Sequence, residues 1–179
     1  MRTEVQVAGF GGQGIVLTGM LLGKAASLHD RREVVLTQSY GPEARGGSSS
    51  TNIIISDEPV DYLLVTRPDI LVCMFQEAYA TLRPRLREDG TLILDTGLVE
   101  PDPADARCAG LPATQIADEL GRRIVANVVM FGYLVGHTRV VSREAAEKAI
   151  ASTVKPKTVN LNLKAFATGL EKAGELVKR

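Results

Sequence analysis

The sequence predicts an α/β fold, a Rossmann-like three-layer, mostly parallel sheet with a helical C-terminal third, in a single domain covering residues 1–179. Three observations predict it. Short apolar runs alternate with helical patterns as far as residue 95. A glycine-rich turn joins the first run to a long apolar stretch, as in a β-turn-α unit. From residue 127 onward the pattern is helical only.

The first strand, at about 4–9, runs into Gly9-Phe10-Gly11-Gly12-Gln13-Gly14. Gly9, Gly11 and Gly14 meet the G-x-G-x-x-G spacing, which permits a tight turn, close approach of backbone N–H groups to an anion, and close helix–strand packing. Gly12 stands where that spacing tolerates a side chain, so its glycine is expected to serve the approach of a ligand or partner. The helix that follows, Ile15 to about Leu28, turns its free N–H groups and positive dipole end toward whatever lies over the turn. A purely structural strand–helix turn explains the same glycines. The second strand, 33–37, ends in Gln38-Ser39-Tyr40 rather than the acidic residue of NAD-binding versions, which disfavours a nicotinamide cofactor.

Residues 39–48 then place Tyr40, Glu43 and Arg45 among Gly41, Pro42, Gly46 and Gly47, polar groups on turn-forming backbone. In an open α/β sheet this loop and the first glycine turn project from the same carboxyl edge and outline one site. Arg45 offers fixed donors matched to phosphate oxygens, and Gly46-Gly47 allow close backbone approach. An ion pair with Glu43 or with another chain is the alternative. Tyr40 offers a ring face and a hydroxyl for an adenine or pantetheine chain, or for packing.

Further strands are expected at 51–56, 70–75 and 91–95, with an extra strand or hairpin arm near 60–65. A helix over 76–87 carries Ala78, Leu82 and Leu86 on one face and ends at Glu88-Asp89-Gly90. Residues 99–112, with Pro101, Pro103, Gly110 and Pro112, read as a surface connection with a short edge strand. Asn127 opens an all-round apolar helix to Gly136, where it either caps the helix or binds a ligand. Ser142 is positioned to cap the next helix, and Pro156 breaks it. In the last helix Val159, Leu163, Phe166, Leu170, Ala173 and Val177 form one narrow seam, for its own domain or for a partner subunit.

Lys plus Arg and Asp plus Glu number 21 each, so no net field attracts nucleic acid or an anionic membrane. The apolar fraction of 45% suits a globular chain, and no apolar run approaches the roughly 18 residues of a bilayer span. The start lacks a signal core, so a cytoplasmic chain is expected. Two cysteines, Cys73 and Cys108, and two histidines, His29 and His137, stand as isolated singles. A zinc site or iron–sulfur cluster needs about four ligands, so neither a metal site nor a catalytic residue is expected here. Cys73 reads as a buried core residue, Cys108 as more exposed and unpaired.

Taken together, Gly-Phe-Gly-Gly-Gln-Gly (9–14), Ser-Tyr-Gly-Pro-Glu-Ala-Arg-Gly-Gly (39–47) and Ile-Ile-Ser-Asp (54–57) resemble the gamma subunit of 2-oxoacid:ferredoxin oxidoreductases. The resemblance is on the 2-oxoglutarate (2-ketoglutarate) side. It extends through residues 67–72, 76–79, 127–132 and 157–166. The second-loop wordings of the pyruvate-type and indolepyruvate-type subunits are absent. The resemblance implies one subunit of a hetero-oligomer that converts a 2-oxoacid plus coenzyme A (CoA) to acyl-CoA and carbon dioxide while reducing ferredoxin. Thiamine diphosphate, Mg and iron–sulfur clusters are then expected on alpha, beta and delta subunits. Single-chain pyruvate enzymes carry lysines where this chain has Glu43-Ala44-Arg45, which leaves Arg45 as the cation expected at the CoA phosphates. The implied CoA contacts are Gly9, Gly11, Gly12, Gln13, Gly14, Tyr40, Arg45, Gly46, Gly47 and Asn127. Three alternatives stay open: a structural gamma subunit without a ligand, a subunit of a branched-chain (ketoisovalerate) or pyruvate enzyme, and an independent nucleotide-binding domain.

Overall fold

The computed structural model describes residues 1–40, 47–103, 105 and 108–176. Arg45 and Gly46 therefore lie outside the described residues, as do Glu43 and Val177, and the side chain of Tyr40 is likewise not described.

Among the described residues six strands form one sheet: β1 (Arg2–Phe10), β2 (Glu33–Tyr40), β3 (Ser48–Ser56), β4 (Ile70–Cys73), β5 (Thr91–Asp95) and β6 (Cys108–Leu111), in the spatial order β2-β3-β1-β4-β5-β6. β1, β4, β5 and β6 pair in parallel. β3 is antiparallel to both of its neighbours, so β2 points the same way as β1 and only β3 runs against the rest. β2 and β3 thus pair as consecutive antiparallel strands, with the end of β2 and the start of β3 beside the end of β1 on the carboxyl edge. The mostly parallel sheet is as the sequence predicts.

Successive side chains point to opposite faces of the sheet, and the central strands are apolar toward both because each face meets a core. Val5, Val7, Ile53, Ile55, Val72 and Ile93 join the larger core with α1 (Ile15–Lys24), α3 (Ala113–Glu119), α4 (Ala126–Thr138), α5 (Arg143–Thr153) and α6 (Val159–Leu176). Leu71, Cys73, Leu92 and Leu94 face the other way, to Tyr79 of α2 (Gln76–Leu82) and to Leu86 and Val99. The strand expected at 60–65 is absent, and that segment is irregular, with Tyr62, Leu63 and Leu64 exposed. It contains no turn signal to pair it with a neighbour. The edge strand in the 99–112 connection is present as β6.

Element ends differ in instructive ways. The first helix changes to a π turn at Ala25–His29, where small residues relax the helical crowding, and ends at Asp30, whose carboxylate accepts from the N–H and hydroxyl of Ser142. The helix expected over 76–87 tightens into a 3-10 turn at Arg83–Arg85, because Pro84 has no N–H to donate. Strand β4 stops at Cys73, two residues early, as Met74 and Phe75 turn the chain toward α2. Ser142 caps α5, accepting from the Ala145 N–H at 3.1 Å, and the chain breaks at Pro156 as expected.

The seam of α6 packs on its own domain, against α4. The two helices touch backbone to backbone: a Cβ on Gly132 would run into the Phe166 carbonyl, and one on Gly169 into the Val129 carbonyl. Beside this contact the Phe131 and Phe166 rings sit 5.5 Å apart. α4 is buried on all sides through Val135, which explains its lack of amphipathic patterning.

Candidate functional site

The strand order makes β1 and β4 the point where the chain departs in opposite directions, toward β2 on one side and β5 on the other. Parallel α/β sheets open a crevice at that point, outside the carboxyl ends. Here a cleft of about 310 Å³ is lined by Gly12, Gln13, Met74, Leu98, Thr114, Arg123, Ile124 and Ala126.

Gln13 holds the turn closed. Its Oε1 accepts from the Phe10 N–H at 2.6 Å, and its Nε2 donates to the Met74 carbonyl at 2.8 Å, stapling the turn to the end of β4. Gly11 donates its N–H to the Gly47 carbonyl at 2.9 Å, so the two glycine-bearing loops meet on one edge, as their strand ends predict. Gly9 leaves room for the Gln13 amide, since a Cβ there would lie 2.5 Å from Oε1.

The division of labour among the glycines differs from the sequence expectation. Gly12 has φ +98 and Gly14 φ +76, the left-handed region that disfavours side chains, whereas Gly11 has no such φ. The glycine at 12 therefore answers a demand of turn geometry. Space is a separate matter: a Cβ on Gly12 would meet nothing within 4 Å, so its exposed face is open to the cleft.

Asn127 does not cap α4. The helix begins one residue earlier, after a 3-10 turn at Arg123–Val125 that feeds directly into it, and its flanking Val125 has no capping side chain. Asn127 is instead buried, with Nδ2 donating to the Gly14 carbonyl at 3.2 Å. That carbonyl also accepts from the Thr18 N–H at 3.0 Å and hydroxyl at 3.2 Å. α4 is thereby seated on the glycine turn through Asn127.

Across the cleft, Asp95 at the end of β5 is fully buried. Its carboxylate accepts from the Gly97 N–H at 3.1 Å, the Thr114 N–H at 3.1 Å and the Thr114 hydroxyl at 2.6 Å. These bonds satisfy the buried charge and fix the wall formed by Leu98 and Thr114. Arg123 and Ile124, which sequence reasoning passed over, stand at the mouth. Arg123 pairs with Asp118 at 3.6 Å through a side chain 66% exposed, a weak pair that leaves the guanidinium available. Ile124 is 71% exposed, an unusual place for isoleucine between a cation and a buried helix.

Burial pushes the Cys73 thiol up to about 12 and raises Cys108 as well, so neither supplies a thiolate near neutral pH. Among the described residues no cluster of three or more His, Cys, Asp or Glu side chains is placed to hold a metal. No helix among them is long and apolar enough to cross a membrane.

Residues 4–172 match the family described as POR, pyruvate ferredoxin/flavodoxin oxidoreductase. The chain is 48% identical to the 2-oxoglutarate synthase subunit KorC of Methanocaldococcus jannaschii, over 98% of its own length and 96% of that protein's. It superposes with a TM-score of 0.88 and 43% identity on the gamma subunit of a keto/oxoacid ferredoxin oxidoreductase from Geobacter sulfurreducens, covering 97% of each chain. The same TM-score, 0.88, relates it to 31% of a longer chain, the 2-oxoglutarate:ferredoxin oxidoreductase of Magnetococcus marinus, whose structure holds 2-oxoglutarate, coenzyme A and succinyl-CoA; at 23% identity that likeness is one of fold. By sequence along nearly its full length and by architecture, this chain belongs to the pyruvate ferredoxin/flavodoxin oxidoreductase family, as a gamma subunit of the 2-oxoacid:ferredoxin oxidoreductases of the 2-oxoglutarate type.

Proposed function

We propose that this gamma subunit lends the β1/β4 cleft to the coenzyme A of a complex that decarboxylates 2-oxoglutarate. The overall reaction is 2-oxoglutarate plus CoA giving succinyl-CoA and carbon dioxide, with two electrons passing to ferredoxin. Thiamine diphosphate with Mg, and the iron–sulfur clusters, belong to alpha, beta and delta partners in this reading. When bound there, the thiamine cofactor supplies the stabilised carbanion that the decarboxylation needs.

The observation that carries the proposal is the open face of Gly12 at the strand-order switch, with Arg123 and the start of α1 beside it. CoA is a polyanion with an apolar-to-amide pantetheine arm. Arg123 provides charge-assisted donors for phosphate, the first turn of α1 provides backbone N–H groups, and Leu98, Met74 and Ile124 provide apolar walls for the arm. Arg45 and Gly46 belong to the same proposal through the connection between β2 and β3, whose far end, Gly47, is bonded to Gly11. Gln13 and Asn127 act in it as positioning residues.

The test is copurification of the native complex, a 2-oxoacid screen, and CoA kinetics of Arg123→Ala and Arg45→Ala. A lost charge-assisted bond of roughly 1.5–3 kcal/mol raises the CoA KM by roughly 10- to 150-fold while the oxoacid KM holds. Complexes that assemble normally with unchanged CoA kinetics in both variants refute the assignment and leave a structural subunit. Preference for ketoisovalerate or pyruvate over 2-oxoglutarate refutes the substrate.

A further inference from the structure

On the opposite face of the sheet from α1, a second cleft of about 430 Å³ opens between β1, β3 and α2. Its floor holds two carboxamides, Gln6 and Asn52, which are directly paired across β1 and β3. Cross-strand partners stand about 5 Å apart, close enough to act together. Gln6 is only 5% exposed, and its amide lines the cleft. Asn52 Oδ1 is shielded without a partner. A shielded polar atom left without a partner is rare and destabilising, and one beside a second carboxamide in an open cleft asks for a function.

The walls are mixed: Ala8, Ala78, Leu82 and Val65 supply aliphatic surface, and Glu77 and Thr81 of α2 supply polar groups. At the mouth are the hydroxyls of Ser39 and Ser50 and the guanidinium of Arg85. Aliphatic surface accepts a flat ring, and paired carboxamides offer adjacent donors and acceptors of the kind that read adenine at N6 and N7. Hydroxyls and an arginine at the rim suit a ribose and a phosphate. We propose that this cleft binds the adenosine phosphate group of a nucleotide. The source is either a free adenine nucleotide or the adenosine end of CoA. The inference does not depend on the glycine-turn reading, since the two clefts share no lining residue.

The experiment titrates the full chain with AMP, CoA and phosphopantetheine by calorimetry, and repeats it on Gln6→Leu and Asn52→Leu. AMP binds, phosphopantetheine does not compete, and each substitution weakens AMP by roughly tenfold or more. Because Asn52→Leu removes an unpaired polar atom, the melting temperature of that variant holds or rises, which a structural role for its amide would not allow. Competition between CoA and AMP identifies CoA as a source; simultaneous binding identifies a free nucleotide. Should a variant fail to fold, the side-chain NH2 resonances of Gln6 and Asn52 in the unaltered chain must shift on adding AMP. The proposal is overturned if AMP and CoA leave those resonances unmoved. It is also overturned if they move only when partner subunits are added, which would mean a protein segment fills the cleft.

Discussion

Replacing Gly14 with alanine sets two costs against each other, and a second substitution separates them. At φ +76 an alanine pays the left-handed penalty of about 1–2 kcal/mol. Its Cβ would also lie 2.5 Å from Asn127 Nδ2 and 2.7 Å from Asn127 Cγ, an overpacking collision of about 1–3 kcal/mol. The single variant should therefore lose about 2–5 kcal/mol. Asn127→Ala alone removes one hydrogen bond to a carbonyl that keeps both Thr18 donors, so it costs only about 0.5–1.5 kcal/mol. In the double variant Nδ2 and Cγ are gone, and only Cβ remains, at 3.3 Å. The collision is relieved while the left-handed penalty stays, so the double variant should be about 1–3 kcal/mol more stable than the sum of the singles. Urea unfolding of the four proteins measures this coupling. Additivity within about 0.5 kcal/mol would refute the seating of α4 on the glycine turn.

Other outcomes follow from the same geometry. Gly12→Ala has strain but no collision, so it should keep a cooperative melt at a loss of about 1–3 kcal/mol, and outright unfolding would contradict the open space at that position. Gly169→Ala must push α6 off α4, so denaturant unfolding should show a loss of about 1–3 kcal/mol or more, and an unchanged midpoint would contradict the close approach. His137, stacked on Tyr133 at 5.7 Å, is held below its ordinary pKa by burial, so the unfolded chain takes up its proton first as the pH falls. Stability should hold above about pH 6.5 and decline as the pH falls through the folded value, and His137→Gln should flatten that part of a pH series of melts. The purified chain should be colourless and should not reduce a viologen dye with 2-oxoglutarate and CoA; activity from the chain alone would overturn its role as a non-catalytic subunit.

Much of the fold was legible because strands and helices announce themselves by period. The five principal strands, the Ser142 cap and the break at Pro156 all follow from local chemistry that nothing in the tertiary structure overrides. What misled was context. Residues 60–65 have the composition of a strand, yet β3 and β4 already pair with both edges of β1, and the segment joins neither outer edge of the sheet. Asn127 has the right identity for a cap, but the preceding 3-10 turn starts the helix early and sends its amide to the glycine turn. The glycine at 12 reads as permissive from spacing alone because φ is invisible in a motif. On the site, the two loops were legible from their strand ends, whereas Arg123 and Ile124 reach the cleft through a connection after α3 that no spacing rule reports.

The central claim is that the glycine turn of this subunit meets CoA in the assembled enzyme. Hydrogen–deuterium exchange of the complex with and without CoA tests it most directly, read at the amides of Gly11 to Val16 and of Arg123 to Ala126. Exchange at both segments should slow when CoA is added and stay unchanged when only 2-oxoglutarate is added. Unchanged exchange at both segments, in a complex saturated with CoA and turning over, would contradict it.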